Sequence, residues 1–307
     1  MKSAFALLGL VLLTTPAFAF WSTGHMIIST IAYNEIQRMD PTYLKTIQKE
    51  IDYLSEYSME NAHSFIESAV WADDNKGIAW TAFNDWHFVD TPVLEEGWSG
   101  DTETELMNAT WAIYSMRKTL TNKYTPKFDS GLALSFAWRY LIHLVGDIHQ
   151  PLHASTYYSS KFPHGDRGGN SFKINYPDNK EITQLHALWD ACVDQYGSIY
   201  APLSDSEFEY LSAVASNLTQ NITRKDVADR LKTSDERIWA AESHDFAENF
   251  LYKDIEYGQT PSKEYIEGGR KIVNEQLVVA GYRLADLMIT LKHKTETESI
   301  VKELISE

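Results

Sequence analysis

The chain has 307 residues, 44% of them apolar and 13% aromatic, which is enough for one large domain and argues against global disorder. Its formal net charge of −16 argues against wide duplex binding by phosphate neutralisation, because such binders carry a basic face. Local phosphate binding at a metal cluster stays open, since metal ions bring their own positive charge.

The N-terminus reads as a targeting segment. Met1-Lys2-Ser3 is a short positive start, Ala4 to Leu13 is apolar, and Ala17-Phe18-Ala19 fits an A-x-A cleavage pattern. The apolar run is shorter than the roughly 20 residues of a membrane-spanning helix, and no later run is long enough. The expectation is a signal peptide over 1–20, a secreted or lumenal soluble protein without a membrane anchor, one domain over 21–293 and a charged tail over 294–307. A monomer is expected.

His25–Met39 carries Met26, Ile27, Ile31 and Ala32 at helical spacing. Asp40-Pro41 reads as the cap and first turn of the next helix. Met59–Asp73 and Glu103–Leu120 are further helices. Leu132–Val145 is apolar almost all round, which predicts a helix at the centre of a bundle. Ser171–Asn175, followed by the turn Tyr176-Pro177-Asp178-Asn179, predicts a small β-hairpin. Glu207–Ser216, Glu236–Leu251 and Glu264–Leu291 complete the helices. Loops are expected over Glu95–Asp101 and Lys161–Asn170, and the tail from Lys294 is expected to fray. The fold class is all-α: a single mainly helical domain with a small β-hairpin. Cys192 is the single cysteine, so no intramolecular disulfide forms, and it reads as a core thiol. Sequons at Asn108, Asn217 and Asn221 would be glycosylated in a eukaryotic secretory pathway.

The segment Leu141–His153 reads LIHLVGDIHQPLH. His143 and Asp147 are four residues apart, which puts both on one face of a helix. His153 follows, and QLHALWD repeats the spacing with His186 and Asp190. Asp73 lies in AVWADD and His87 in DWHFVD. Each alone has an ordinary explanation: a solvated helix-end aspartate, a packed histidine, a buried hydrogen-bonded pair. Several such residues facing one interior are costly unless paired or metal-bound, so together they point to metal. Imidazole nitrogen and carboxylate oxygen are the ligands of catalytic zinc. His25 lies at a helix start, close to Trp21 beside the expected cleavage point. If cleavage exposes Trp21, its amino group and carbonyl oxygen can chelate a metal.

These residues carry a family resemblance. WSTGH at 21–25, WADD at 71–74, HFVDTP at 87–92, HLVGDIHQPLH at 143–153, DRGGN at 166–170, LHALWD at 185–190, WAAES at 239–243 and AGYRLADL at 280–287 span nearly the whole mature chain. The chain resembles the zinc-dependent class I nucleases, the single-strand-specific nucleases and 3′-nucleotidases related to the zinc phospholipases C. The resemblance implies three Zn²⁺ per chain. One is held by Asp73, His87, His143 and Asp147. A neighbour is held by Trp21, His25 and the bridging Asp147, and a third by His153, His186 and Asp190. It further implies that Phe88 stacks on a base, that Asp90 hydrogen-bonds its edge, and that Lys76 and Asn170 lie near phosphate and nucleotide. Asp73 and Asp147 are the catalytic residues on this reading. Single-stranded DNA, RNA and nucleotides are the substrates, cut to 5′-phosphates. The A-x-A pattern places the cut before Phe20, whereas the resemblance requires Trp21 as first residue, and the expectation is Trp21. A zinc phospholipase C-like lipid phosphodiesterase and a non-catalytic secreted zinc-binding protein are the rival readings. HALWD ends in aspartate, where the phospholipase typically has glutamate, which favours the nuclease.

Overall fold

The computed structural model describes residues 20–56, 63–78, 81–121 and 130–306, and gives the backbone alone at Glu56, 77–78 and 293–306. Residues 1–19 of the expected signal peptide and the start of the helix expected over Met59–Asp73 lie outside the described residues.

The helices are α1 (Ser22–Met39), α2 (Pro41–Asp52), α3 (Trp71–Ile78), α4 (Ala109–Thr121), α5 (Ser130–Asp147), α6 (Leu185–Asp190), α7 (Asp205–Asn221), α8 (Glu236–Phe246) and α9 (Lys263–Ser306). The chain is mainly helical, as its periodicity predicts. The apolar α5 is central and packs against α1, α2, α3, α4 and α9. Leu141, Leu144 and Val145 are fully buried there. The one basic side chain of α5, Arg139, is buried too, and its guanidinium donates to the Ile51 carbonyl at 3.1 Å. No helix among the described residues is long and apolar enough to cross a membrane.

Local chemistry sets the boundaries. Asp40 caps α2 by accepting from the Tyr43 amide at 2.9 Å, as the Asp-Pro pair predicts. α4 begins at Ala109 rather than Glu103 because the Asn108 side chain accepts from the amides of Thr110 and Trp111. The segment expected as one helix over Met59–Asp73 is broken. Ser64 and Glu67 cap each other, a 3-10 turn runs over Glu67–Ala69, and α3 starts only at Trp71. The expected helix over Glu236–Leu251 divides into α8 and a π-turn over Ala247–Leu251. α9 runs on to Ser306, past Leu291, where the sequence reading stops it. Ile300, Val301, Leu304 and Ile305 continue the helical period there.

The expected hairpin is a correction. Pro177-Asp178 does turn, but Lys173 and Gln184 form only an isolated antiparallel bridge. Phe172, Ile174 and Tyr176 alternate inward as a strand would, yet their side chains fill the core beneath a loop rather than a sheet. The sheet lies elsewhere. β1 (Pro92–Leu94) pairs in parallel with β2 (Thr156–Tyr158), in register Pro92 to Thr156. Strands this short and this far apart leave no local pattern to read.

A buried polar network ties the end of α5 to α8 and α9. Arg283 on α9 is nearly fully buried, donates to Glu242 at 2.8 Å and to the Arg230 carbonyl at 2.7 Å, and meets His149 Nε2 at 2.9 Å. Gln276 donates to the His149 carbonyl at 2.7 Å, and Ser243 to the Ile148 carbonyl at 2.6 Å. Replacing Arg283 by Met removes the donor to Glu242 Oε1, the Arg230 carbonyl and His149 Nε2. Denaturant unfolding is expected to show a loss of about 1–3 kcal/mol, and an unchanged midpoint would contradict the role assigned to the network.

Candidate metal centre

Six elements deliver the polar side chains. α1 supplies His25, α3 Asp73, the 3-10 turn Thr81–His87 its last residue, and α5 His143 and Asp147. The 3-10 turn Pro151–His153 supplies His153, and α6 His186 and Asp190. The approach of α1 to α5 depends on Gly146: a Cβ there would lie 2.5 Å from His25 Nδ1. The glycine inside HLVGD therefore leaves the space that the imidazole fills.

Of the nine residues implied as ligands, the eight other than Trp21 have side chains buried around one locus. The two oxygens of Asp147 diverge. Oδ1 lies 3.3 Å from His25 Nε2, and Oδ2 lies 2.8 Å from His87 Nδ1 and 3.0 Å from His143 Nε2. Asp73 Oδ1 stands 3.5 Å from each of His87 and His143, and takes the Lys76 ammonium at 2.6 Å. A second group forms beside it, with Asp190 between His186 at 3.1 Å and His153 at 3.7 Å. Backbone carbonyls orient the rings. Nδ1 of His143 donates to Ala69, that of His153 to His87, and that of His186 to Gly168, so each turns Nε2 to the cluster as an acceptor. Gly168 holds its carbonyl there with a φ of 58°, and a Cβ on it would meet the Leu152 carbonyl at 2.5 Å.

Trp21 stands differently. Its nitrogen is the amide that follows Phe20, and it donates to the Asp190 carbonyl at 2.7 Å, while its own carbonyl accepts from Gly24. Phe20 is fully buried in the core, edge-on to His25.

The electrostatics suit a cation. Burial works to raise Asp147, but His143, His87 and His25 hold it far below the usual carboxylate range. Burial likewise opposes the ionisation of Asp73, yet Lys76 and the two histidines bring it down to about 2. Burial, aided by Lys76, pushes His87 down to about 3, so its ring is neutral. Burial opposes protonation of His143 and His186, but the neighbouring aspartates outweigh it and raise both. A proton thus competes with a metal for those two rings. Several buried polar atoms here have no hydrogen-bond partner: both nitrogens of His25, Asp147 Oδ1, and Nε2 of His87, His153 and His186. Such atoms are costly when bare. Three sets, His25/Asp73/His143, His87/His143/Asp147 and His153/His186/Asp190, each bring ligand atoms within 4.8 Å of one another and could hold metal ions. The residues present fit divalent cations with nitrogen and oxygen ligands.

The cluster opens on a pocket of about 280 Å³. His87, His153 and His186 form its floor, and Lys76, Phe88, Asp90 and Asn170, the four residues implied as substrate contacts, all line it. Glu103, Glu105, Tyr158 and Arg167 line it as well. Burial first, and then the neighbouring Glu105, push the Asp90 carboxyl up to about 7.

A sequence model described as S1/P1 nuclease matches residues 20–292 of the chain. The chain belongs to the S1/P1 nuclease family. It is 28% identical to Endonuclease 2 of Arabidopsis thaliana over 85% of this chain and 87% of that protein. It is 25% identical to Nuclease S1 of Aspergillus oryzae over 87% of this chain and 90% of that protein. Family membership makes it a phosphodiester hydrolase of a metal-dependent kind.

Within this nuclease, sequence reasoning passed over Gln150. Its amide donates to Asp190 Oδ1 at 2.6 Å and its oxygen accepts from Leu152, so it locks the third aspartate in place. The available signal was an amide inside the HQPLH run, next to residues that face the cluster. His149, two residues past Asp147, has both ring nitrogens occupied elsewhere: its Nδ1 donates to the Val145 carbonyl and its Nε2 meets Arg283. Glu105 was also missed, and it bears on Asp90. The folded protein holds the Asp90 proton more tightly than the unfolded chain, whose carboxyl titrates at 3.8. Stability contributed by that proton is therefore lost as pH rises from there through about 7. Asp90→Asn is expected to flatten this decline, as measured by denaturant midpoints of both proteins at several pH values in that window. Parallel profiles would remove Asp90 as its source.

Proposed function

We propose that the protein is a secreted trinuclear-zinc endonuclease that hydrolyses single-stranded DNA and RNA to 5′-phosphate products and also acts as a 3′-nucleotidase. The observation that carries this reading is a small pocket with Phe88 in its wall that reaches two of the three buried His/Asp groups, through His87 of one and His153 and His186 of the other. In it Asp73, His87, His143 and Asp147 hold one zinc, His25 and Asp147 with Trp21 a second, and His153, His186 and Asp190 a third. Zinc ions so placed lower the pKa of water and neutralise phosphate charge. With the ions held there, the chemistry supplied would be hydrolysis: a water oxygen would bond to phosphorus as the bond to the 3′-oxygen breaks, and the proton given up by the water would balance the one taken by that oxygen.

The protein's own groups position the substrate. The divergent oxygens of Asp147 support a bridging role. Asp73, held ionised, anchors Lys76 at the pocket wall, where its ammonium faces a phosphate. Phe88 offers a π-face to any base, a contact worth about 1–3 kcal/mol per base. Asp90, near neutrality in its titration, meets the base edge as donor or acceptor, and Asn170 lies alongside. A base must leave its stack to enter a pocket of this size, which supports a preference for single strands. Affinity then rests on metal and stacking, which is compatible with a chain of net charge −16.

Maturation completes this reading. On this reading residues 1–20 direct the chain, a monomer, into the secretory pathway, and their removal turns the Trp21 amide into an amine able to bind metal. Mass-spectrometric sequencing of the secreted protein is expected to begin at Trp21. A mature chain starting at Phe20 would remove Trp21 from the second site.

Asp147→Asn is expected to lose activity and two of three metals together, read by metal analysis of the purified variant. Loss of one metal with activity retained would refute bridging. The reading as a whole is tested by cleavage of single- against double-stranded DNA, with chelator and after zinc is restored. Chelator-sensitive cutting of single strands with about three zincs per chain is expected. Three zincs without cleavage of nucleic acid or nucleotides would turn attention to lipid phosphodiesters.

A further inference from the structure

A second aromatic surface lies outside the pocket. Trp111 and Tyr114 stand on the outer side of α4, 39% and 51% exposed. Residues three apart on a helix are neighbours, so the two rings form one face. They line a groove of about 980 Å³ between α4 and residues 232–237, with Leu291 of α9 also in its wall. Arg117 and Arg237 in the wall are held by Glu236 and Asp235, and Lys232 by Asp229. Lys118 instead lies over the Tyr114 ring, 5.4 Å from its centre. The groove is therefore aromatic with a cation at its edge, the composition that suits stacked bases with a phosphate alongside.

The groove is separate from the metal pocket but packed beside it, through a buried chain of rings. Trp111 packs on Trp86 at 5.5 Å, Trp86 on Tyr140 at 5.5 Å, and Tyr140 meets the ring of His87 at 6.4 Å. At its first residue α4 is fastened to the pocket wall, where the Ala109 amide donates to the Phe88 carbonyl at 3.0 Å. Residues 85–88 thus join the two surfaces, and α4 leads from one to the other.

We propose that this groove is a stacking subsite for single-stranded nucleic acid. It takes nucleotides a few positions from the scissile bond, with Trp111 and Tyr114 as the platform and Lys118 beside the backbone. The assignment rests on the nuclease reading above. It makes long strands better substrates than short ones, through contacts that a dinucleotide never reaches.

The test uses the zinc-loaded enzyme and the variants Trp111→Ala/Tyr114→Ala and Lys118→Glu. Two substrates are compared: a dinucleoside phosphate and an oligonucleotide of about ten nucleotides, a length typical of such sites. Binding is read separately by anisotropy of a labelled, non-cleavable phosphorothioate oligonucleotide of the same length. The aromatic double variant is expected to raise KM and Kd for the oligonucleotide about tenfold and to leave kcat/KM on the dinucleotide unchanged. Lys118→Glu is expected to reduce the salt slope of oligonucleotide binding by about one. Unchanged oligonucleotide affinity overturns the subsite. So does an equal loss on both substrates, which would place the two rings in the stability of α4. Wild-type enzyme that cleaves neither substrate defeats the nuclease reading instead, and the anisotropy arm then decides the groove by itself.

Discussion

The carboxylate of Asp147 is the point on which the structure turns. It closes α5, and its two oxygens reach histidines from α1, from the 3-10 turn before β1 and from α5 itself. Like-charged oxygens and unpaired imidazoles in a water-poor interior are unfavourable without a cation or a proton among them. The surrounding fold consists largely of devices that make the crowding tolerable: a glycine where α1 meets α5, backbone carbonyls that fix ring orientation, and a lysine against Asp73.

That crowding gives the molecule its division of labour. The interior of α5 is apolar and sets the position of the cluster, while the buried Arg283 network anchors the far side of the turn that carries His149, Gln150 and His153. Positions in the cluster are thus fixed from two directions, by packing on one side and by hydrogen bonds on the other. Such doubly held side chains lose little further entropy when a cation arrives, which is the physical content of preorganisation.

The acidic surface and the site chemistry fit together. A chain of strong negative charge gains little from long-range attraction to phosphates. On the proposed reading affinity comes from short-range contacts, and aromatic side chains lie where such contacts would form: Phe88 in the pocket wall, and Trp111 on α4 packed against Trp86. In the pocket wall burial, and then the neighbouring Glu105, push the Asp90 carboxyl up to about 7. That setting makes the pocket's hydrogen-bonding character depend on pH.

The sequence by itself determined the helical class, the central place of the apolar α5, the membership of the cluster and the family. These are written in short-range periods, such as i,i+4 for His143/Asp147 and His186/Asp190, and in motif order along the chain. Helix boundaries at Asn108 and Ser64 were legible only as capping chemistry, and the small sheet was placed wrongly, because Pro92–Leu94 and Thr156–Tyr158 meet across a separation that leaves no local trace. Only the tertiary structure decided which oxygen of Asp147 faces which histidine, that Gln150 holds Asp190, that Glu105 lifts Asp90, and that Trp111 packs on Trp86. Periodicity assigns a residue to a face of its own element. Distances between faces of different elements are set by how the whole core packs, and no local stretch of sequence contains that information.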